Sequence, residues 1–240
     1  MNESFIFMFY VLPCLNGKFY HKVFFKLQLK RPGPDFLLFS EGSEAASARE
    51  TPPAPAMVLV NTSKTPSTVY EKGELLGSGG FAQVFSVTER SSGVRYADKV
   101  INKEIFLSKK RRNARDKVQR EINLHRMMSH VNIIKFYDSF EDSNFVHIIL
   151  ELASQQTLLH VSRTRIFLTE PEVKYYFCQI AAGTKYIHDQ KILHRDLKLG
   201  NILLSGNMTV KIADFGLSTT FAEKTTSLCG TPNYIAPGEL

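Results

Sequence analysis

Apolar and polar residues alternate over residues 69–150 in a way that predicts a small antiparallel β-sheet. Three strands are expected over residues 75–97, where apolar residues flank a cluster of glycines. Two more strands are expected over residues 133–140 and 145–150, because residues 141–144 between them are turn-forming. The folded part of the chain is therefore predicted to begin with a five-stranded sheet.

A second periodicity, that of an α-helix, predicts two helices. Within residues 118–128 the apolar side chains fall on one face, and residues 170–189 continue the same spacing for longer. Thr169 and Glu172 form a capping-box pattern in front of the second helix. Residues 202–212 contain two short apolar segments around a Ser-Gly-Asn turn, which predicts a β-hairpin.

The composition changes before this folded part. Residues 31–68 are rich in Pro, Ser, Ala, Glu and Thr, so they are predicted to form a disordered linker, with the folded domain starting near Val69. Residues 1–30 are apolar with scattered lysines and remain an unassigned leader. A weak secretory signal is the alternative there, but Glu3 and Pro13 and the lack of a basic start favour a non-folded or mis-assigned leader.

Charge and cysteine content narrow the class of protein. The chain has 240 residues, 43% hydrophobic and 22% charged, with a net charge of +7. Much of the basic excess lies within residues 103–126, which we interpret as a solvated helix face, because no nucleic-acid-reading motif accompanies it. No apolar run reaches the roughly twenty residues of a membrane span. Three cysteines without ligand spacing indicate a reducing, intracellular setting and no zinc site. Cys178 belongs to the second predicted helix, and we interpret it as a buried thiol.

Candidate chemistry is concentrated in residues 194–201, which read His-Arg-Asp-Leu-Lys-Leu-Gly-Asn, and in the Asp-Phe-Gly that begins at Asp214. In phosphoryl transfer a carboxylate orients the attacking hydroxyl and accepts its proton, and further oxygen ligands hold Mg²⁺. The spacing of Asp196 and Asn201 places both kinds of group in one loop. An ordinary polar turn is the alternative, and the length of the motif disfavours it.

Three further features supply the other parts of a nucleotide site. The glycine cluster lets backbone N–H groups approach phosphate oxygens, although a glycine-rich hairpin without a ligand explains that segment equally well by itself. Lys99, at the inward end of a predicted strand, would be costly to bury without anionic partners. Glu121, at the edge of the first predicted helix, is the candidate carboxylate; a solvated Glu pairing with Arg120 or His125 is the alternative.

Together these motifs, in this order, resemble the protein kinase signature. Within that family the chain resembles the polo-like kinases. The resemblance covers residues 69–237 and is carried by four segments: residues 79–82, with alanine in the third glycine position, and residues 168–172, 194–201 and 228–237. Residues 199–200 favour the main polo branch, whereas residues 207–214 are closer to the centriole-duplication branch, so the branch stays open.

The resemblance implies an α+β, two-lobed protein-kinase-like fold. Residues 69–153 would form the N-terminal lobe, with its five-stranded antiparallel sheet and helix, and the hinge. Residues 154–240 would form a partial C-terminal lobe with the catalytic loop and activation segment. The chain is expected to be truncated shortly after that segment, because Gly238 interrupts the Ala-Pro-Glu pattern and the expected helices do not follow. Polo-box modules are not expected in this chain.

The implied activity is transfer of the γ-phosphate of ATP to protein Ser/Thr hydroxyls, with Mg²⁺. Asp196 would accept the hydroxyl proton and Lys198 would steady the γ-phosphate, while Asn201 and Asp214 would hold the metal. Lys99, fixed by Glu121, would hold the α- and β-phosphates. The implied nucleotide-binding residues are Leu76, Gly77, Ser78, Gly79, Gly80, Phe81, Ala82, Gln83, Val84, Ala97, Lys99, Glu121, Leu150, Glu151, Ala153 and Leu203.

Regulation, partners and location are also implied only by the resemblance. Ser227 stands where the family carries its activating threonine, with Thr226 beside it, and a phosphate there is expected to pair with Arg195. Partners would be protein substrates rather than nucleic acid or membrane, in the cytoplasm, nucleus or centrosome. The alternative function is a truncated, catalytically inactive kinase-like module that binds or regulates other proteins.

Overall fold

The computed structural model describes residues 4–13, 19–29, 58–61, 67–79, 82–107, 113–153, 156–165, 168–223, 229–231 and 234. Four of the predicted site residues lie outside these ranges, namely Gly80, Phe81, Thr226 and Ser227. The described segments from residue 58 onward form two lobes, the first around a curled β-sheet and the second around a long helix.

The first lobe contains a six-stranded antiparallel sheet in the order β3-β4-β5-β6-β8-β7. Its strands are β3 (Val58–Asn61), β4 (Thr68–Ser78), β5 (Ala82–Glu89), β6 (Arg95–Asn102), β7 (Phe136–Glu141) and β8 (Phe145–Glu151). Asp142 shapes the β7–β8 turn, because its Oδ1 accepts hydrogen bonds from the backbone N–H groups of Asn144 and Phe145. The five strands predicted from alternation are all present, with shifted ends.

The sixth strand, β3, corrects the predicted linker, which does not extend unbroken to residue 68. Leu59 and Asn61 are buried while Val58 and Val60 are exposed, so this short segment has the alternation of a half-buried edge strand. It pairs with the start of β4, where Val60 lies opposite Val69. The surrounding Pro- and Ser-rich composition concealed a segment with strong β propensity.

The sheet curls so far that its two edge strands meet. Asn61 on β3 donates a hydrogen bond from Nδ2 to Asp138 Oδ2 on β7, at 2.7 Å. Tyr70 and Phe140 stack inside the curl with ring centroids 6.1 Å apart, and they form a core cluster with Leu59, Val87 and Ile149. One face of the sheet is therefore enclosed by the sheet itself.

The opposite face of the sheet is covered by helix α1 (Ala114–Arg126), which follows a 3₁₀ helix at Lys103–Leu107. Ile122 of α1 packs in a buried cluster with Ile101, Val146 and Ile148 of the sheet. The predicted helix over residues 118–128 is thus confirmed, with a start four residues earlier. Its register places Glu121 among the buried residues beside the sheet.

The second lobe consists of α2 (Leu158–Thr164), α3 (Glu170–Asp189), β9 (Ile192–Leu193), β10 (Ile202–Leu204), β11 (Val210–Ile212) and β12 (Thr219–Thr220), with a 3₁₀ turn at Leu199–Asn201. The predicted hairpin is confirmed as the β10–β11 pair. Its inward residues are almost completely buried in one large cluster with α2 and α3. The catalytic-loop residues lie between β9 and β10, so both of their ends are anchored in this core.

Helix α3 begins at the predicted capping box, in which the Glu172 side chain accepts from the Thr169 backbone N–H at 2.8 Å. Ile180 and Ile187 on its inner face are buried, whereas Cys178 is exposed, so the predicted burial of that thiol is wrong. Cys178 lies on the same outward side as the exposed Tyr175. Neither α3 nor any other helix in the described ranges combines the length and apolar character needed to cross a bilayer.

The leader, for which no element was predicted, contains two paired strands. β1 (Ser4–Pro13) and β2 (Phe19–Leu29) form a two-stranded antiparallel sheet of their own. The pairing runs from Ser4 opposite Leu29 to Pro13 opposite Phe19, with a register shift near Pro13. Proline lacks the N–H that continues a ladder, which accounts for the irregularity at that end.

The contact between the edge strands predicts that Asn61→Ala destabilises the first lobe by about 1–3 kcal/mol, because a fully buried amide and its hydrogen bond to Asp138 are lost. The free energy of unfolding is measured by urea denaturation. Val60→Ala is the matched control on the same strand, since Val60 is exposed, and should cost less than about 1 kcal/mol. Equal losses in both variants would show that the contact does not stabilise the closed sheet.

Candidate active site

The catalytic loop is held against the Asp-Phe-Gly segment by a buried histidine. His194 Nδ1 accepts a hydrogen bond from the Asp196 backbone N–H at 3.3 Å, and its Nε2 lies 3.1 Å from the carbonyl oxygen of Ala213. A ring that accepts at Nδ1 carries its proton on Nε2, so the carbonyl receives a donated hydrogen bond. The ring also packs 5.1 Å from that of Phe215. His194 therefore joins the loop that carries Asp196 to the loop that carries Asp214.

Asp196 lies at the centre of a network of three donors. Its Oδ2 accepts from Lys198 Nζ at 2.6 Å and from Asn201 Nδ2 at 3.1 Å. Its Oδ1 accepts from the Thr231 hydroxyl at 2.7 Å, and the Thr231 oxygen in turn receives a hydrogen bond from Lys198 at 3.1 Å. The carboxylate is thus fixed in orientation by residues of its own loop and by one residue of the following segment.

Lys99 forms ion pairs with two carboxylates from different lobes. Its Nζ lies 2.5 Å from Glu121 Oε1 on α1 and 2.9 Å from Asp214 Oδ1. Only 15% of the Lys99 side chain is exposed, and Glu121 is buried. The expected reach of Glu121 to the strand lysine is therefore observed, and Asp214 is a second partner that the sequence did not indicate.

Burial alone would lower the pKa of Lys99, but the adjacent Glu121 and Asp214 carboxylates outweigh burial and hold the pKa above its usual value. For Asp214, burial of the carboxyl group raises the pKa, and the Lys99 charge and hydrogen bond reverse that effect, so its pKa lies below the usual value. Lys99 is consequently a cation and Asp214 an anion throughout the neutral pH range.

Two glycines permit close approaches that a side chain would block. A Cβ on Gly216 would lie 3.3 Å from both Asp214 Oδ1 and Glu121 Oε2, next to the ion pairs. Gly230 has a φ of +112°, and a Cβ there would lie 2.7 Å from the Arg195 carbonyl oxygen. Arg195 and Asp214 themselves have φ values of 64° and 68°, a left-handed conformation that is strained for residues with side chains.

Asn201 and Asp214 form a donor set that suits Mg²⁺. Both hydrogen bonds of the Asn201 amide nitrogen go to Asp196, one to its carbonyl oxygen at 2.9 Å, which leaves the amide oxygen as the atom it offers a ligand. The Asn201 carbonyl accepts from the Ala213 N–H at 2.9 Å, so Asn201 and Asp214 are held close in the chain path. Mg²⁺ at nucleotide sites usually takes only one or two protein ligands and keeps several waters, so a pair of protein oxygens fits this ion. The described residues contain no cluster of three His, Cys, Asp or Glu side chains that could hold a metal ion.

Most of the predicted nucleotide-binding residues that the structure describes in the first lobe lie on strands β4, β5, β6 and β8, whereas Glu121 lies on α1. Gly77 pairs with Val84, Val84 with Lys99, and Ala97 with Leu150, so these residues are brought together by sheet register. The glycine-rich turn is closed by a 2.8 Å hydrogen bond from the Gly79 N–H to the Ala82 carbonyl. Leu76, Ser78 and Gln83 are exposed, and Ala153 is half-buried after β8. Leu203, the predicted nucleotide-binding residue of the second lobe, is half-buried on β10.

The Glu151 side chain bridges the lobes at the predicted hinge. Its Oε1 lies 2.7 Å from Lys211 Nζ on β11, and its Oε2 accepts from the Lys135 backbone N–H at 3.0 Å. The Glu151 backbone N–H donates to the Lys135 carbonyl at 2.8 Å. The carboxylate is thereby committed to holding β8 against β11, and only backbone groups remain for a ligand at this position.

A family model described as "Protein kinase domain" matches residues 70–240. The chain belongs to the protein kinase family. The predicted two-lobed α+β kinase fold is therefore confirmed, and the antiparallel sheet with α1, the catalytic loop between β9 and β10 and the Asp-Phe-Gly segment are the kinase elements of this chain.

Its similarity to curated kinases confirms the predicted polo-like resemblance. The kinase is 42% identical over 197 residues to "Serine/threonine-protein kinase plk-1" of Caenorhabditis elegans, covering 81% of this chain and 30% of that protein. It is 44% identical over 188 residues to plk-2 of the same organism (78% and 29%) and 40% identical over 184 residues to "Serine/threonine-protein kinase polo" of Drosophila melanogaster (75% and 31%). The chain thus spans less than a third of the length of these relatives.

Two residues of this kinase site had not been assigned any role from the sequence. Thr231 contacts Asp196 from 35 positions along the chain, and Lys211 contacts Glu151 from 60 positions away. Sequence spacing carries no signal for contacts at such separations. The alternation in β11 gave one indirect sign, since Lys211 lies between the fully buried Val210 and Ile212 and so points to the other side of the strand.

The bridge at the hinge predicts that Lys211→Met destabilises the kinase by about 1–3 kcal/mol, because a largely buried Glu151 carboxylate loses its cation. Lys185→Met is the matched control, since Lys185 pairs with Asp189 at the surface of α3, and should cost less than about 0.5 kcal/mol. Urea denaturation measures both values. Similar small losses in the two variants would show that the hinge bridge is no stronger than a surface ion pair.

Proposed function

We propose that this chain is the catalytic region of a serine/threonine protein kinase, which transfers the γ-phosphate of ATP to Ser or Thr hydroxyls of protein substrates. The observation that carries the proposal is the position of Lys99, which is held between Glu121 of the first lobe and Asp214 of the second. A buried ammonium fixed by carboxylates from both lobes is a preformed site for phosphate oxygens. The similarity to polo and plk kinases supports the same conclusion.

Asp196 is the proposed acceptor of the substrate hydroxyl proton. Its carboxylate is held in one orientation by hydrogen bonds from Lys198, Asn201 and Thr231. Lys198 is proposed to place its ammonium group beside the transferred phosphoryl group, because its Nζ already lies 2.6 Å from Oδ2 of Asp196, the proposed proton acceptor. A cation beside the reacting atoms stabilises the charge that develops there.

Asn201 and Asp214 are the proposed ligands of Mg²⁺, through the Asn201 amide oxygen and the ionised Asp214 carboxylate. When bound, the metal would neutralise charge on the nucleotide phosphates. Glu121, the partner of Lys99 that is not a proposed metal ligand, would hold the Lys99 ammonium group toward the α- and β-phosphates.

The adenine site is proposed between Leu76, Val84 and Ala97 on one side and Leu203 on the other. Leu150 would line the back of this site, and the backbone of residues 151–153 would meet the adenine edge. The ion pair between Glu151 and Lys211 supports recognition of adenine by the backbone of residues 151–153, because the Glu151 carboxylate is already occupied. The glycine-rich segment, residues 77–84, would cover the phosphates.

The proposed partners are protein substrates that present Ser or Thr, as the names of the related kinases suggest. Lys198 in the catalytic loop supports Ser/Thr rather than Tyr acceptors by family resemblance. The proposed location, supported by the same resemblance, is inside the cell, in the cytoplasm, nucleus or centrosome. Profiling of substrate peptides would distinguish the main polo branch from the centriole-duplication branch.

Mg-ATP is expected to raise the melting temperature of the wild-type chain, since a ligand at about a hundred times its Kd stabilises by about 2.7 kcal/mol. Lys99→Met should lose most of that shift, because the phosphate-binding cation is gone. Asp196→Asn should keep the shift and lower phosphoryl transfer to a protein substrate by about a hundredfold or more, because the proton acceptor is gone. Thermal denaturation and a radiolabel transfer assay measure the two effects.

Lys185→Met serves as the control for loss of a lysine, since Lys185 lies on the surface of α3, where it pairs with Asp189. Binding of Mg-ATP without any phosphoryl transfer by the wild-type chain would favour the alternative of a kinase-like binding module. Absence of any Mg-ATP shift in a well-folded wild-type chain would refute the proposed nucleotide site.

Phosphorylation of Ser227, or of its neighbour Thr226, is proposed to activate the kinase through Arg195. The Arg195 Nε donates to the Leu217 carbonyl at 2.7 Å, whereas its Nη1 is buried and has no hydrogen-bond partner in the described part of the chain. A buried guanidinium nitrogen with unused donors suits a phosphate oxygen. The observation supports an anion arriving at Arg195 from a neighbouring segment.

After treatment with phosphatase, Ser227→Asp is expected to transfer phosphate to a protein substrate faster than wild type, because only the variant supplies an anion for Arg195. After subsequent treatment with an activating kinase, Ser227→Ala is expected to be slower than wild type, because it cannot carry the phosphate at this position. Ser92→Ala is the control in both states, since Ser92 lies in the exposed β5–β6 turn. Wild-type rates in both Ser227 variants would rule out this role.

A further inference from the structure

A buried cluster of two carboxylates and a histidine lies on the enclosed face of the curled sheet, outside the candidate active site. His147 on β8 has its Nδ1 2.8 Å from Asp98 Oδ2 on β6 and its Nε2 3.1 Å from Asp142 Oδ2 in the β7–β8 turn. Asp98 and His147 are almost completely buried, while the Asp142 side chain is 40% exposed. The two strands and the turn are thus cross-linked through one imidazole ring.

The charge on the ring follows from this geometry. A neutral imidazole has one N–H and one lone pair, so a neutral His147 would direct a lone pair at a carboxylate oxygen on one of its two sides. Only the doubly protonated ring donates to both carboxylates. Asp142 remains a carboxylate, because burial raises its pKa less than the hydrogen bonds from Asn144, Phe145 and His147 lower it.

The surroundings of the ring favour its positive charge. Phe140 stacks on His147 with the ring centroids 4.7 Å apart, an arrangement in which an aromatic face stabilises a cation. Asp98 Oδ1 is buried and accepts no hydrogen bond within the described ranges, so His147 is the donor on which the Asp98 charge depends. Burial lowers the pKa of His147, but the hydrogen bonds and charges of Asp98 and Asp142 outweigh it and hold the pKa above 6.5.

Lys103 and Tyr70, on elements next to the cluster, do not oppose the positive charge of His147. Lys103 Nζ contacts the Asp142 carbonyl oxygen at 2.6 Å and the Glu141 carboxylate at 2.7 Å, so its charge is offset. Burial, followed by nearby carboxylates, raises the pKa of Tyr70 to about 12, so it stays a neutral phenol. The charged and titratable groups on the elements that carry or adjoin the cluster include Tyr70 and Lys72 on β4, Asp98 on β6, Lys103 in the 3₁₀ helix, Asp138 and Glu141 on β7, and Asp142 in the turn.

The cluster lies directly behind the lysine of the nucleotide site. Asp98 precedes Lys99 on β6, and His147 precedes Ile148, the residue that pairs with Lys99 across the sheet. Because successive side chains alternate between faces, the Asp98–His147 contact fixes the same short piece of β6 and β8 from the side opposite Lys99. A change in this contact therefore acts on the backbone that carries Lys99.

We propose that His147, as an imidazolium held between Asp98 and Asp142, is a positioning residue for Lys99, and that nucleotide affinity falls when the ring loses its proton. The proposal rests on the proposed nucleotide-binding role of Lys99. On deprotonation, one carboxylate faces a lone pair, and the contact between β6 and the β7–β8 turn is lost or rearranged. We expect the position of Lys99 to become less well fixed, while the other residues of the proposed nucleotide site stay unchanged.

The sign of the pH dependence follows from linkage. A histidine whose pKa is raised on folding stabilises the native state fully below its unfolded value, about 6.5. That stability is lost as the pH rises from there through the folded pKa. Stability and nucleotide affinity should therefore both fall on the alkaline side of neutrality.

The ionisation of the ring is tested first, by ¹H–¹⁵N and ¹H–¹³C NMR of the histidine side chains between pH 5.5 and 9. The chain has seven histidines, and the signals missing in His147→Gln identify the ring of interest. Protons on both ring nitrogens above pH 6.5 support the proposal. A ring that is neutral at or below about pH 6.5 overturns it, since this is the ordinary histidine value.

The positioning role is tested by melting temperature and by the Kd of Mg-ADP over the same pH range. In wild type the Kd should rise several-fold from pH 6.5 to above the titration of His147. Asp142→Asn should flatten this change to within about twofold, because an amide oxygen still caps the turn while the amide nitrogen donates to a neutral ring. The comparison between the two proteins cancels the titration of the nucleotide phosphates.

Two controls keep the result interpretable. Asp189→Asn removes a carboxylate at the surface of α3 and should retain the wild-type pH profile. His147→Gln should lower the melting temperature by about 5 °C or more at pH 6.5 and by less at pH 9, since the wild type loses its advantage as the ring deprotonates. A pH-independent loss, or a wild-type profile in Asp142→Asn, would overturn the positioning role. If wild type binds no nucleotide at any pH, the proposed function fails and the positioning role with it, whereas the NMR result still decides the charge of the ring.

Discussion

The arrangement of this kinase depends on the burial of one ammonium group. Lys99 lies on the face of β6 that α1 covers, where an unpaired charge would be costly. It is stabilised there by the approach of both Glu121 and Asp214. Glu121 approaches only when α1 packs on the sheet, and Asp214 only when the second lobe is docked below it. The relative position of helix, sheet and catalytic loop is therefore constrained by a single electrostatic requirement.

Much of this arrangement could be predicted from the sequence, because local rules determine it. Alternation located the central strands, the capping pattern of Thr169 and Glu172 located the start of α3, and motif order identified the kinase family. The features that could not be predicted depend on contacts between distant segments. The hydrogen bond from Thr231 to Asp196 is one of these contacts.

Strand β3 was missed for a different reason. A composition argument averages over a window, and four residues with a strong alternating pattern do not change the average of a Pro- and Ser-rich stretch. The predicted burial of Cys178 was wrong for another reason, since it was inferred from residue type although the position lies off the apolar face of α3.

Strand β3 also has a practical meaning for how the domain is delimited. The family model begins at residue 70, inside β4. A fragment cut at that point would lack Leu59 and Asn61, uncover the ring of Tyr70 and leave the rim of the curled sheet open to pairing with other chains. Recombinant fragments for crystallisation or binding assays are better begun upstream of Val58, because similarity to relatives marks where the sequences align and not where the hydrophobic core ends.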